Sequence, residues 1–385
     1  MGGKTMRKET LVILLVYFAA TVAFSAEVPV LIDAEALDPV VQPTDDGYAV
    51  AWWQGDARFG EGVRFARFDL TGQQIGETRQ LGKLGVELFV DLRLEPVRGG
   101  FLLFVKDNIY ALHSLPLDEL GQPTGEVNLV IDSNDLWGVD VDGTSSSKLV
   151  VFPEFSLGFQ VWSQQIDADG RPVKPRSRLS LATGNMIRDA RLARTRSGYL
   201  SAWVEFSGAA ISREIRKDGR PRGVPTEFVA SQECPEWTDV AVSGGTQAVV
   251  YSAGCAQLDI FMRQRNKSGS FGDLIVLANE PFDEGTDPSF SPIEVAVGQD
   301  RFGLLYSALS QDLPYPYRGT WFLAEFDLAG IRIGEQRNLE DELSMDAWRG
   351  ASLIYDEGRG QYVLSWSGFG PQGSGGYFVT LQPAP

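Results

Sequence analysis

Apolar side chains along this chain come in short bursts bounded by glycine, aspartate and proline. Seven stand out: "GYAVAWW" from Gly47, "GFLLFV" from Gly100, "KLVVF" from Lys148, "GYLSAWV" from Gly198, "QAVVY" from Gln247, "FGLLY" from Phe302 and "QYVLSW" from Gln361. Each is rich in β-branched and aromatic residues and too short for a helix, which predicts fully or half-buried strands. A second short segment precedes each burst, for example "PVVQ" from Pro39, "DLRLE" from Asp91, "DARLA" from Asp189 and "DVAVS" from Asp239. Beyond residue 26 no segment reads as an amphipathic helix.

The first six bursts are each followed by a recurring polar phrase. "RFDLTGQQIGE" (Arg67 to Glu77) returns almost unchanged as "EFDLAGIRIGE" (Glu325 to Glu335), and looser versions begin at Leu117, Ile166, Ile215 and Arg265. Their glycines, Gly72, Gly121, Gly170, Gly219, Gly269 and Gly330, are spaced 49, 49, 49, 50 and 61 residues apart. A fixed period of this size marks a repeat architecture, and a glycine among polar residues marks a tight turn between two strands. A further strand follows each turn, such as "ETRQL", "EVNLVI", "TEFVA" and "LIVLA". Four antiparallel strands per period is the content of one propeller blade, with strands A to D running outward from the channel.

The last unit, "GASLIYDEGRGQYVLSWSGFGPQGSGGYFVTLQPAP", supplies only three strands, whereas "EVPVLIDAEALD" near the other end resembles a D strand and precedes the first A strand. Pairing the two completes the last blade and leaves no open sheet edge. The expectation is an all-β, seven-bladed β-propeller of four-stranded antiparallel blades, closed by its N-terminal strand, as one domain over 27–385. Six blades with an irregular segment and two stacked sandwiches are the alternatives. The blade pattern, an apolar burst ending in Trp or Tyr, a strand, then "FDxxGxxxG", resembles that of secreted bacterial β-propeller repeat proteins. That resemblance implies a fold and carries no function, because propellers host binding proteins, hydrolases, lyases and scaffolds alike.

Residues 1–26 have Lys4, Arg7 and Lys8 ahead of an apolar run from Leu11 to Phe24 and then small residues, the form of a signal peptide cleaved after Ser25 or Ala26. The run is short of the roughly 20 residues a membrane-spanning helix needs. The expected location is therefore secreted or periplasmic, with no membrane span in the mature chain. The chain has 34 Lys and Arg against 51 Asp and Glu, a formal charge of −17, which becomes −19 without the leader. Such an acidic protein repels phosphate backbones, which argues against nucleic acid as a partner.

A four-stranded meander puts the D–A and B–C connections on one face and the A–B and C–D turns on the other. The first face carries the long segments, including those from Gln54, Asn279, Ala308 and Ser367, so it is where a protein or carbohydrate partner is expected to bind. Cys234 and Cys255, the only two cysteines, fall in connections on that face of one blade and are expected to form a disulfide.

An acid stands near the start of most A strands: Asp38, Asp91, Asp140, Asp189, Asp239 and Glu294. These would converge at one mouth of the channel. There they would either accept backbone N–H groups or bind a ligand, Ca²⁺ included. Trp137, Trp237 and Trp348 lie in D–A connections beside them, an arrangement suited to stacking on sugars and equally to packing between blades. Trp52, Trp203, Tyr251, Tyr306 and Trp366 recur at one position of strand B and read as core. With His113 as the sole histidine, a Ser-His-Asp triad needs that one residue and a multi-histidine metal site is excluded. A glycan- or peptide-binding scaffold without catalysis is the leading functional expectation. The alternative is a carboxylate-dependent glycoside hydrolase with its acids at the channel mouth.

Overall fold

The computed structural model describes residues 27–385, apart from 56–61, 85–88, 108–110, 134–135, 137, 156–157, 182–185, 206–207, 231–234, 254–257, 267, 281–292 and 310–318. The described residues form seven antiparallel four-stranded sheets, and each sheet runs in sequence order except the last. The innermost (A) strands are Ala36–Thr44, Phe89–Val97, Asp140–Thr144, Ile187–Arg194, Pro235–Ser243, Ile293–Val297 and Asp346–Asp356. Each A strand touches the A strands of both neighbouring blades, the seventh touching the first, so the seven sheets close into a ring around a channel.

Strand Val30–Asp33 joins the last sheet outside Gly373–Leu381, with Val30 opposite Phe378 and Leu31 opposite Tyr377. The expected closure by the two ends of the chain is thus present. It is reinforced by Glu27, whose carboxylate accepts the N–H of Gln382 at 2.7 Å and pairs with Arg337. Blade 7 has no turn of this phrase beside blade 6, because its outer strand, Val30–Asp33, comes from the far end of the sequence rather than following its third. Ala384 takes its place, donating its N–H to Glu325 Oε1 (2.6 Å) and accepting from Arg301 (2.7 Å).

The apolar bursts become the B strands, and they are apolar throughout because both their faces are covered. Val50 and Trp52 pack toward blade 7, while Ala49, Ala51 and Trp53 pack toward blade 2. Seven clusters of buried residues result, one at each junction between blades. The aromatic column behaves as core, with Trp52, Trp203, Tyr251, Tyr306 and Trp366 all at most 1% exposed.

The turns of the repeated phrase share one construction. In five of six, the side-chain oxygen of the first residue (Asp69, Asp118, Asp167, Asn266, Asp327) accepts the N–H groups two and four residues on. Blade 4 has Arg216 at that position; it keeps the backbone bonds, and Asp218 Oδ1 accepts the N–H of Arg220 instead (3.2 Å). The ladder glycines sit at φ between 76° and 92°, and most of them press on the blade before. A Cβ on Gly121 would lie 2.1 Å from the Phe65 ring, and one on Gly72 would lie 2.3 Å from Val30 in the closing strand. Polar C-strand residues also reach the next blade's turn: Ser114 Oγ donates to Gly170 O (2.8 Å) and Ser163 Oγ to Gly219 O (2.7 Å).

One helix departs from the all-strand expectation. Leu339–Leu343 follows the D strand of blade 6, where Asn338 caps the N–H groups of Glu340 and Asp341 and three acids occupy the first turn. Leu339 and Leu343, one turn apart, are buried between blades 6 and 7. The single turn is too short to show helical periodicity in the sequence.

Two stability predictions follow from these contacts. Gly121→Ala combines a positive φ, costing about 1–2 kcal/mol, with overpacking against Phe65, costing a further ~1–3 kcal/mol. Gly76→Ala, with φ 73° and open space around the new methyl, should incur only the first cost. Urea denaturation of the two variants checks the difference. A chain beginning at Ala34 loses the closing strand. It should unfold at lower temperature and self-associate through the exposed edge of Gly373–Leu381, which light scattering would detect.

Candidate functional site

The channel wall is set by which A-strand residues stand at the same level. Counted by their partners in strand B, the residues of one layer are Val40, Arg93, Asp140, Arg191, Asp239, Glu294 and Ser352. Only three of the six acids singled out in the sequence, Asp140, Asp239 and Glu294, belong to it. Asp91 lies two residues upstream on the same strand as Arg93. Asp38 sits within an irregularity of its strand at φ 47°, its N–H donating to Ser367 Oγ at 2.5 Å. Asp189 falls in a similar irregularity, and its side chain lies outside the described residues, as do Trp137 and the side chain of Trp348.

Two arginines therefore interleave with the carboxylates. Arg191 of blade 4 reaches across to Glu294 of blade 6 at 3.2 Å, and Arg93 pairs with Asp91 at 3.1 Å. Sequence reasoning passed over both arginines. The signal was present as Asp-x-Arg in "DLRLE" and "DARLA", two of the A strands already singled out.

Asp140 and Asp239 act as clips between blades. Asp140 accepts the N–H of Val141 (3.0 Å) and of Leu192 in blade 4 (2.7 Å). Asp239 accepts the N–H of Val240 (2.7 Å) and of Val295 in blade 6 (2.7 Å). Asp142, on the same strand as Asp140, repeats the device toward Gly143 and Arg194. Burial pushes the Asp239 carboxyl up to about 7, against the pull of Arg191 and with help from Glu294 and Asp140. Burial likewise raises Asp140 to about 6, against Arg191 and Arg93. A carboxyl near 7 would suit a general acid. Both Asp239 oxygens accept backbone amides, however, contacts that pull the value down, so the rise comes from burial beside Glu294 and Asp140 and the carboxyl is already engaged within the ring.

The channel mouth on the long-connection side includes Trp237, which packs against the blade 5–6 core; its indole N–H is buried and has no hydrogen-bond partner among the described residues. Phe155, Leu181 and Phe369, on the same side, are exposed apolar residues. Cys234, Cys255 and most of the long connections lie outside the described residues. Among the described residues, no three His, Cys, Asp or Glu side chains are grouped as a metal site. His113 is partly exposed, and burial holds its pKa below the ordinary value against the pull of Asp107.

The opposite, tight-turn face carries a cleft of about 460 Å³ between blades 3 and 4. It is lined by Thr144, Ser147, Gln165, Arg194, Thr195, Arg196, Gly198, Tyr199 and Lys217. The sequence expectation had put binding on the other face.

No protein-family model and no curated protein matches this sequence. Solved structures do. Raptor from Chaetomium thermophilum is similar at a TM-score of 0.54 and 9% identity, over 94% of this chain and 29% of that one. This chain thus spans less than a third of the Raptor chain's length. The Cps50 (Swd1) β-propeller domain of Myceliophteria thermophila gives 0.52 and 10% identity, over 92% of this chain and 100% of that domain. BBS1N, in a crystal structure of its complex with ARL6DN, gives 0.51 and 11% identity, over 93% and 98%. At these identities the likeness is one of fold.

The pKa shifts of the clip acids fix a sign for pH dependence. The folded values of Asp140 and Asp239 lie above the ordinary 3.8, so the native state holds protons that the unfolded chain gives up. Their contribution to stability is complete below about pH 4 and is lost as pH rises through about 6 to 7. Asp239→Asn removes one such group, so its urea midpoint should fall less than wild type's between pH 5 and pH 8. Equal falls would mean that Asp239 stays ionised throughout.

Proposed function

We propose that this protein is an extracytoplasmic binding or scaffold propeller that recognises a glycan, peptide or envelope partner through the long-connection face. The observation that carries the reading is the commitment of the channel's own charges. Asp91, Asp140, Asp239 and Glu294 each have a backbone amide or an arginine as partner. Recognition then falls to side chains that project from the rims. Trp237, a partly buried ring on the long-connection side, is suited to stacking on a sugar or peptide. The leader-like residues 1–26 support export, and no helix among the described residues is long and apolar enough to cross a membrane. The complex of BBS1N with ARL6DN is an instance of a similar fold engaging another protein. The glycoside-hydrolase alternative needs two carboxylates free to act on substrate, and the described channel acids are bound within the ring.

The test is a thermal-shift screen of the mature chain against oligosaccharides and peptides, scored against each variant's own unliganded Tm. A ligand that stabilises wild type should do so less in Trp237→Phe and not at all in Trp237→Ala. Stabilisation that survives Trp237→Ala would place recognition away from this mouth and end the proposal. Asp239→Ala is unsuited to the purpose, because its carboxylate joins two blades.

A further inference from the structure

The charge of this chain is unevenly spread. Residues 140–229, which make up blades 3 and 4, hold 14 Lys and Arg against 10 Asp and Glu, while the whole chain is at −17. The cleft between these two blades collects part of that excess. Arg194 and Arg196 come from the A–B turn of blade 4 and Lys217 from its C–D turn, and all three are exposed. Arg194 is tied by Nη1 to Gly143 O at 3.2 Å. Neither Arg196 nor Lys217 forms an ion pair with any described residue. Three cations with so little local compensation, on a protein that is otherwise strongly acidic, make a site for an anion.

The rest of the lining is built for hydroxyl groups. Thr144, Ser147 and Thr195 bring hydroxyls, and the amide of Gln165 donates to Ser147 Oγ at 3.1 Å. The carbonyl oxygen of that amide, Gln165 Oε1, is buried and has no hydrogen-bond partner among the described residues. A buried acceptor left unpaired is destabilising, and a ligand hydroxyl would satisfy it. An acceptor for a hydroxyl deep in the cleft, cations at its rim and a volume of about 460 Å³ suit a ligand of small-molecule size.

We propose that the cleft between blades 3 and 4 binds an anionic saccharide, its carboxylate or sulfate held by Arg196 and Lys217 and a ring hydroxyl donated to Gln165 Oε1. The site is on the face opposite Trp237 and does not depend on the long-connection face being a binding surface.

The experiment is calorimetric titration of the mature chain at low salt with four probes: a galacturonate disaccharide, a sulfated heparin-derived disaccharide, neutral maltose and inorganic phosphate. At least one charged disaccharide should bind ten times more tightly than maltose or phosphate and weaken as salt is raised. The double variant Arg196→Ala with Lys217→Ala, both exposed positions, should keep the wild-type Tm and lose at least tenfold in affinity for that disaccharide. Gln165→Leu should weaken the disaccharide and leave any phosphate binding unchanged. Phosphate binding as tightly as the sugars, maltose binding as tightly as the charged disaccharides, no binding by either charged disaccharide, or an unchanged affinity in the double variant would each overturn the proposal. Because Trp237→Ala lies on the other face, its effect on other ligands is read separately from all of these outcomes.

Discussion

A sheet that is apolar on both faces can be buried only between two others. Every B strand here is of that kind, and so no blade can serve as an end of the stack. Closing the ring is the arrangement that meets this constraint for all seven blades at once. The pairing of Val30–Asp33 with Gly373–Leu381 is what closes it, and the junction it completes, with Tyr48, Trp52, Phe68, Val363 and Phe378, is as thoroughly buried as the other six. Ala384 standing in for an absent turn shows the same requirement met by the other end of the chain.

The closed ring uses most of its interior polar groups on itself. Aspartates on A strands clip one blade to the next, polar C-strand residues hold the next blade's turn, and the ladder glycines let that turn come close enough to be held. The channel holds two ion pairs among its described residues, Arg93 with Asp91 and Arg191 with Glu294, the second spanning from blade 4 to blade 6. With these channel groups engaged within the ring, the exposed polar and aromatic chemistry of the described residues lies at the two rims. Those rims differ. One carries the long connections and Trp237, and the other carries tight turns and, over blades 3 and 4, the positive charge.

Much of this was legible in the sequence because it is local or periodic. A turn with a glycine at positive φ needs a handful of residues, and its return after 49 or 50 residues in four of five intervals reports one supersecondary unit repeated. Continuous apolar runs report strands covered on both faces. The missing fourth strand of the last blade and the spare strand near the other end predicted each other. The helix at Leu339 was not legible, since one turn has no period.

The layer of charge in the channel was decided by tertiary structure alone. Asp38 and Asp189 fall in irregularities of their strands and Asp91 lies two residues before the layer that Asp140, Asp239 and Glu294 occupy, so that level is held by Val40, Arg93 and Arg191 in those blades. Which residue stands at a given level depends on pairing with strand B, and who faces it across the channel depends on chain more than a hundred residues away. The cleft between blades 3 and 4 is of the same kind, because Thr144 and Lys217 meet only once both blades are in place. Local pattern determined the elements and their number; the register between strands and the closure of the ring determined which charges meet.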